Sequence, residues 1–222
     1  MSQVLFVMTG ADRLTLADGA AHPTGFWAEE FLAPYRAVTA AGHEVVVATP
    51  GGVQPPVDRA SVDSEDVEVQ LLSIGALKDP VRLEDVDPAR YAAVYYPGGH
   101  GPMEDLAQNP ASADVIRATM AAGRPLAVVC HGVAALLATA QADGAWPFAG
   151  YRLTAFSNVE EEAAGLAGKL PWLLEDRLTG LGARFSAGEP WASHVVVDRN
   201  LYSGQNPGSS QELAAAFVTA LR

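Results

Sequence analysis

Cys130 and His131 are neighbours at the point where a predicted buried strand ends. The apolar run Leu126–Val129 leads directly into Cys130-His131-Gly132, and an alanine-rich run that predicts a helix follows. A tight turn from a strand into a helix presents its first side chain to a crevice, and a cysteine beside a histidine is a candidate nucleophile with its base. The alternative is a buried core thiol, which is the usual environment of a single cysteine. We favour the nucleophile.

A glycine-rich loop, Pro97-Gly98-Gly99-His100-Gly101, follows another apolar run, Ala92–Tyr96. Its backbone N–H groups are not shielded by side chains and can hold an anionic oxygen. A phosphate cradle is disfavoured, because neither a Walker lysine nor the Gly-x-Gly-x-x-Gly spacing is present. With the N–H of His131, the N–H of Gly99 would complete an oxyanion hole. A plain tight turn is the alternative.

Two acidic segments could supply proton-transfer groups. Glu29 and Glu30 precede Pro34, and Glu160–Glu162 form a second cluster. A protonated carboxyl group near Cys130 would donate to the thiolate, lower its pKa from about 8.5 and later shuttle a proton. An acidic residue of the second cluster would orient the imidazole ring. Either segment could instead be a solvated helix start.

The tryptophans and the remaining histidines give weaker signals. Trp27 and Trp172 lie near the acidic segments in sequence and predict the walls of a small dry pocket, with core packing as the alternative. Trp146 and Trp191 are interpreted as packing residues. No two histidines have the spacing of a zinc motif, so we expect no metal site and no cofactor.

The elements that must position these residues alternate between β-branched runs and helical runs, which predicts an α/β fold with a mostly parallel central sheet. In such sheets the crevice lies beyond the carboxyl ends of the strands, where each unusual loop of this sequence falls. The segment Gly51–Pro88 is expected to be loops with one strand. The predicted strands are Val4–Met8, Glu44–Ala48, Val67–Leu72, Ala92–Tyr96, Leu126–Val129, Val195–Val197 and Leu201–Tyr202, and the predicted helices are Trp27–Ala41, Ala111–Ala122, one from Glu160, Pro171–Thr179 and one from Ser210.

Composition predicts one globular domain over residues 1–222. The formal charge of −12 disfavours nucleic acid and anionic membranes as partners. No run is long enough to span a membrane, and the start of the chain does not resemble a signal peptide. One cysteine excludes an internal disulfide and favours a reducing cytoplasm.

These motifs together resemble the PfpI/ThiJ superfamily of class I glutamine-amidotransferase-like proteins. The branch they resemble more closely contains glutathione-independent glyoxalases (glyoxalase III) and stress chaperones with protein-deglycase claims. The resemblance covers most of the chain. It is carried by Glu30 four residues before Pro34, Pro97-Gly98-Gly99-His100, Cys130-His131-Gly132, and Thr154-x-Phe156 leading to Glu161.

The resemblance implies a flavodoxin-like αβα sandwich, a homodimer, and roles for particular residues. Cys130 would be the nucleophile, His131 the base, Glu30 the carboxylic partner and Glu161 the acid that orients the histidine. Substrate would meet Gly98, Gly99, His100, Trp27 and Trp172. Since family members differ in the third triad residue, Glu160 remains an alternative to Glu161.

The leading hypothesis from this resemblance is conversion of methylglyoxal or a related 2-oxoaldehyde to a 2-hydroxy acid, through a hemithioacetal on Cys130 and without a cofactor. A hydrolase or hydratase acting on an amide, nitrile or isonitrile through the same thiol is a second reading. A holding chaperone or protein deglycase is a third, and a redox sensor a fourth.

Overall fold

The computed structural model describes residues 1–221, and its centre is a seven-stranded sheet. The strands are β1 Gln3–Val7, β2 Arg13–Thr15, β3 Ala21–Pro23, β4 Glu44–Thr49, β5 Val81–Arg82, β6 Ala93–Tyr96, β7 Leu126–Val129, β8 Arg152–Leu153, β9 Arg184–Phe185, β10 Val195–Asp198 and β11 Leu201–Gly204. The central sheet has the order β10-β11-β7-β6-β1-β4-β5. Every neighbouring pair in it is parallel except β10 with β11, which confirms the predicted mostly parallel sheet.

Helices cover both faces of this sheet. They are α1 Ala28–Ala40, α2 Glu65–Ser73, α3 Gly75–Lys78, α4 Gly101–Glu104, α5 Pro110–Ala121, α6 Asn158–Ala163, α7 Leu174–Gly180 and α8 Ser210–Thr219. The apolar side chains form two clusters, because successive residues of a strand point to opposite faces. Leu5, Val94 and Val128 belong to one cluster, whereas Phe6, Tyr95 and Val129 belong to the other. The fold is therefore the predicted αβα sandwich.

The predicted strand Val67–Leu72 is wrong, because these residues lie within helix α2. The alternation of Val67, Val69 and Leu71 imitates a strand, but Val69 is exposed, and Leu71 and Ile74 are the residues that enter the core. Ser64 caps the helix by accepting a hydrogen bond from the Val67 N–H, and acidic residues fill its first turn. The capping signal outweighs the apparent period of two.

The carboxyl ends of β1, β6 and β7 meet at one edge of the sheet, since the three strands are adjacent and parallel. The loops that follow these strands therefore converge, as the order of motifs predicts. None of the helices in residues 1–221 is long and apolar enough to cross a membrane.

Candidate active site

Cys130 occupies a strained turn at the end of β7. Its φ is +54°, a left-handed conformation that costs energy for a residue with a side chain. The following residues, Cys130–Thr139, form 3₁₀ turns. A Cβ on Gly132 would lie 2.5 Å from the carbonyl oxygen of Tyr96, so only glycine fits where this turn crosses the end of β6. The cysteine side chain is 4% exposed. The turn is the predicted strand-to-helix bend, but its thiol is largely shielded from solvent.

Gly98 lies between the thiol and the first helix. A Cβ added to it would come within 2.7 Å of Glu30 Oε2 and 2.8 Å of the Cys130 Cβ. Its N–H donates a 2.7 Å hydrogen bond to Glu30 Oε2. The absence of a side chain at this position lets the Glu30 carboxyl group and the Cys130 side chain approach the same backbone.

Glu30 lies in the first turn of α1 and is fully buried. Burial raises its pKa to about 8, and hydrogen bonds from the Gly98 N–H and with the Cys130 thiol offset only part of that rise. Its Oε1 has no hydrogen-bond partner within residues 1–221. The neighbouring Glu29 instead accepts a hydrogen bond from Gln211 at the surface. Glu30 is therefore a neutral carboxylic acid at pH 7, held beside the thiol and closed to solvent.

His131 connects the thiol to a second carboxyl group. Its Nδ1 lies 3.4 Å from Cys130 Sγ, and its Nε2 donates to Glu161 Oε2 at 2.7 Å. Burial alone would raise the pKa of Glu161. The charge of His131 and hydrogen bonds from His100 and His131 outweigh it and hold the pKa well below its usual range. An ionised Glu161 accepts from Nε2 of His131, so Nδ1 is the ring nitrogen that faces the thiol.

His100 shares the same carboxylate. Its Nε2 donates to Glu161 Oε1 at 2.9 Å, and its ring lies 3.9 Å from that of His131 between centroids. Burial and the charge of His131 lower the pKa of His100, and Glu161 opposes them. The ligand atoms of His100, His131 and Glu161 lie within 4.8 Å of one another, a spacing that a metal ion could use. Sequence spacing gave no sign of this cluster, because its members come from three separate segments.

The thiol of Cys130 has a raised pKa. Burial is the largest cause, and the charge of Glu30 adds to it. The backbone N–H groups of Gly99 and His131 hydrogen-bond to the sulfur and lower the pKa, though by less. The expectation that a neighbouring carboxyl group lowers this pKa is therefore wrong, because the site is closed to water and the neutral thiol is favoured there. The two N–H groups are those predicted for the oxyanion hole.

The structure separates the two tryptophans predicted to wall the pocket. The Trp27 N–H donates to the Gly98 carbonyl oxygen at 3.0 Å, so its backbone borders the glycine loop. Trp172 does not come to this site. It packs against the apolar cluster on the other face of the sheet from Cys130, below the guanidinium of Arg177, because α7 covers that face. The prediction that Trp172 lines the pocket is therefore wrong, because it rested only on the nearness of Trp172 to an acidic segment in the sequence.

Sequence reasoning did not place two aromatic residues near His131, although it named Phe156 in the motif that leads to Glu161 and interpreted Trp191 as a packing residue. The ring of Phe156 lies 4.6 Å from the imidazole of His131, and the indole of Trp191 lies 5.4 Å from Phe156, between centroids. Trp191 is 50% exposed and is not the packing residue it was interpreted to be, whereas Trp146 is buried as expected. The signal in the sequence was that Trp191 follows Pro190 in a polar segment before β10, which indicates a surface loop.

The sequence matches the DJ-1/PfpI family over residues 22–220, a range that contains each of the residues described at this site. The chain belongs to this family. The match confirms the family resemblance identified from the motifs, and it accounts for the α/β sandwich around Cys130.

Two of the relatives found by sequence comparison have different names. The chain is 38% identical over 198 residues to the glutamine amidotransferase-like class 1 domain-containing protein 1 of Bos taurus, covering 89% of this chain and 88% of that one. It is 30% identical over 235 residues to the protein/nucleic acid deglycase HchA of Pseudomonas aeruginosa, covering 99% and 80%. The crystal structure of glyoxalase III from Candida albicans superposes with a TM-score of 0.86, covering 100% of this chain and 98% of that one at 24% identity, which shows a common fold.

Proposed function

We propose that this protein converts a small 2-oxoaldehyde, such as methylglyoxal, to the corresponding 2-hydroxy acid without a cofactor, through a covalent intermediate on Cys130. One observation carries the proposal. A single buried thiol is contacted by a neutral carboxylic acid, Glu30, and by an imidazole whose far nitrogen is held by an ionised carboxylate, Glu161. Isomerising an oxoaldehyde requires such a set, because protons must be given and taken at both carbons.

The first step forms the carbon–sulfur bond. The neutral thiol adds to the aldehyde carbon while its proton passes through Nδ1 of His131 to the carbonyl oxygen, giving a hemithioacetal. The N–H groups of Gly99 and His131, which reach the sulfur, would stabilise charge on the adjacent oxygen during this addition. Because burial raises the pKa of the thiol, the base must act during the attack and does not meet a thiolate already formed.

The second step moves hydrogen between the two carbons. His131 removes the hydrogen from the carbon that bears sulfur and returns a proton to the neighbouring carbon. Glu30 donates a proton to the oxygen of that neighbouring carbon and recovers one from the oxygen beside sulfur. The result is a thioester of the 2-hydroxy acid. Water then hydrolyses the thioester, so the acid leaves and the thiol of Cys130 is restored.

The names of relatives support the proposal in part. HchA is named as a deglycase, and the C. albicans protein of the same fold is named as a glyoxalase III. Both names describe chemistry on aldehydes or their adducts. The redox-sensor reading is disfavoured, since oxidation follows thiolate character and burial raises the pKa of this thiol.

The test is to incubate purified protein with methylglyoxal in the absence of glutathione and to measure lactate. We expect turnover, with a loss of at least about 10³-fold in Cys130→Ala, since the nucleophile is removed. Glu29→Gln should keep wild-type turnover, because Glu29 bonds Gln211 at the surface, and it is the matched control for Glu30→Gln in the same assay. Intact mass should show an acyl adduct in the wild type that is absent from Cys130→Ala, which separates the thioester on the single cysteine from the adducts that methylglyoxal forms with lysine and arginine.

Two results would overturn the proposal. One is the absence of the corresponding 2-hydroxy acid from every 2-oxoaldehyde tested. The other is lactate formation that continues unchanged in Cys130→Ala. Amides, nitriles and isonitriles should be run in parallel, because cleavage or hydration of one of them through Cys130 would point to the hydrolase or hydratase reading instead.

A further inference from the structure

Trp191 combines exposure with a costly backbone conformation. Its side chain is 50% exposed, and its φ is +65°. A bulky residue at positive φ is strained, and an indole left half in water gains little from burial. Neither property is explained by packing of the core. Strain of this kind persists where the surroundings hold a residue in place, and it concentrates at binding and catalytic sites.

A buried carboxylate holds the backbone of Trp191. The Trp191 N–H donates to Glu160 Oε1 at 2.9 Å, and Asn206 Nδ2 donates to the same oxygen at 2.7 Å. The amide of Asn206 also donates to the carbonyl oxygen of Ala192 at 2.9 Å, so the chain is fixed on both sides of the tryptophan. Glu160 is fully buried and accepts further hydrogen bonds from Ser157. The position of the indole is therefore set by the fold.

The indole is the outer end of a row of rings that begins at the base. His131 packs on Phe156, and Phe156 meets the edge of Trp191 at an interplanar angle of 68°. Val159, which is 58% exposed, lies beside Glu160 on the same helix. Phe156 is buried, so the row leads from a closed site to an open apolar rim. Of the three rings only the indole faces water, so a substituent that extends from Cys130 past Phe156 would cover apolar surface of Trp191.

We propose that Trp191 is a specificity-determining residue, whose indole binds the apolar substituent of the oxoaldehyde and favours substrates with an aryl group. The inference rests on the proposed function and adds the substrate class. Aromatic rings bind one another at their edges and offset faces, and the indole is pre-positioned, so little ordering is needed when substrate binds. A methyl substituent would gain much less from the same surface.

The experiment compares phenylglyoxal with methylglyoxal in the wild type, Trp191→Ala and Trp191→Phe. We expect the ratio of kcat/KM for phenylglyoxal to that for methylglyoxal to fall about tenfold in Trp191→Ala, mainly through KM, because a hydrophobic contact discriminates by about this amount. Trp191→Phe should recover most of the ratio. Alanine at this position meets the same positive φ as tryptophan, so the backbone strain is unchanged. Leu72→Ala, at another exposed apolar residue, on α2, is the control.

A ratio that is the same in Trp191→Ala and the wild type would overturn the inference. So would a fall of the apparent mass in Trp191→Ala from a dimer to a monomer, since the indole would then serve an interface between copies of this chain. Binding separates the inference from the proposed function. Even if wild-type protein turned over neither aldehyde, calorimetry with mandelate and lactate, the two product acids, should still show a preference for mandelate that Trp191→Ala removes. Loss of turnover with that preference intact would sink only the proposed function.

Discussion

Two glutamates approach Cys130 from different elements, and they are held in opposite states of charge. Glu30, in the first turn of α1, has a pKa raised to about 8, whereas the pKa of Glu161, in α6, is held well below its usual range. Both are buried. Glu30 has one backbone N–H and a thiol as neighbours, whereas Glu161 has two imidazole donors. Burial acts in the same direction on both, so the donors decide the outcome.

The difference shows how one residue type supplies both the acid of the site, Glu30, and the carboxylate that orients its base, Glu161. A carboxyl group with few donors keeps its proton at pH 7 and can give it away. A carboxyl group that accepts from two rings stays ionised and can only hold those rings. Pairs of titratable groups whose environments separate their pKa values mark the acid and base of a site. Two substitutions, followed by three measurements, should break or sharpen this contrast.

The largest effect is expected from Glu161→Gln. The amide cannot hold both imidazoles as acceptors, so part of the protein will have His131 in the wrong tautomer, with a hydrogen pointing at the thiol. We expect kcat for oxoaldehyde conversion to fall about 10³-fold, because loss of the orienting acid acts through the base. Steady-state kinetics with methylglyoxal measures this. Glu162→Gln, at the exposed next residue, should lie close to the wild type. A similar loss in both variants would show that the effect is not specific to the carboxylate at Glu161.

A smaller kinetic effect, with a distinct pH signature, is expected from Glu30→Gln. In the wild type, activity should decline as pH rises through about 8, where Glu30 loses its proton and its charge further disfavours ionisation of the thiol. Glutamine cannot donate an acidic proton, so kcat at pH 7 should fall about 10²-fold. It cannot ionise either, so the decline centred near pH 8 should disappear. A pH–rate profile from 5 to 10 checks both points, and persistence of the decline in the variant would assign it to another group.

The smallest effect is one of stability, and its sign is opposite to that on activity. The unfolded chain releases the Glu30 proton above its ordinary pKa of 4.5, whereas the folded protein retains it up to about 8. Wild-type stability from this group is therefore full below pH 4.5 and declines as pH rises to about 8. Glu30→Gln should be more stable than the wild type at pH 8 by about 2 kcal/mol, at about 1.4 kcal/mol for each pKa unit and allowing for a poorly bonded buried amide.

Urea unfolding of the wild type and Glu30→Gln at pH 4, 6 and 8 measures this difference. The variant should be less stable than the wild type at pH 4, where only the cost of the buried amide remains, and its relative stability should rise with pH. A variant less stable than the wild type at pH 8 would mean that Glu30 makes contacts worth more than its cost of ionisation, and the contrast with Glu161 would weaken.

Much of the fold follows from the sequence. The apolar runs Val4–Met8 and Leu126–Val129 predict strands buried on both faces, and the structure has β1 at Gln3–Val7 and β7 at Leu126–Val129, both within a parallel sheet. The predicted strand Val67–Leu72 is wrong because the prediction rests on apolar residues at every second position and gives no weight to the helix cap at Ser64. Whether a short segment with two competing periods becomes a helix or a strand depends on which of its side chains reach the core. The sequence alone does not show which side chains do so.

The site divides in the same way. Residues next to one another in sequence, such as Cys130 and His131, or that match a known motif, such as Glu30, could be named in advance. The sharing of Glu161 between His100 and His131 could not, because it depends on how three loops converge. The raised pKa of the thiol depends on the exclusion of water, and the exposure of Trp191 depends on a backbone held by Glu160. These are properties of the assembled structure.

Gly98 and Gly132 let the loop after β6 and the loop after β7 pack directly against each other. A Cβ on Gly132 would lie 2.6 Å from the carbonyl oxygen of Pro97, and one on Gly98 would lie 2.8 Å from the nitrogen of His131. Backbone therefore rests directly on backbone, with no side chain between to absorb a displacement. Substitutions at this contact between the two loops would displace the backbone on both sides. The exposed surface around Trp191 is the better place to change substrate selectivity, because substitutions there leave the position of the Cys130 sulfur unchanged.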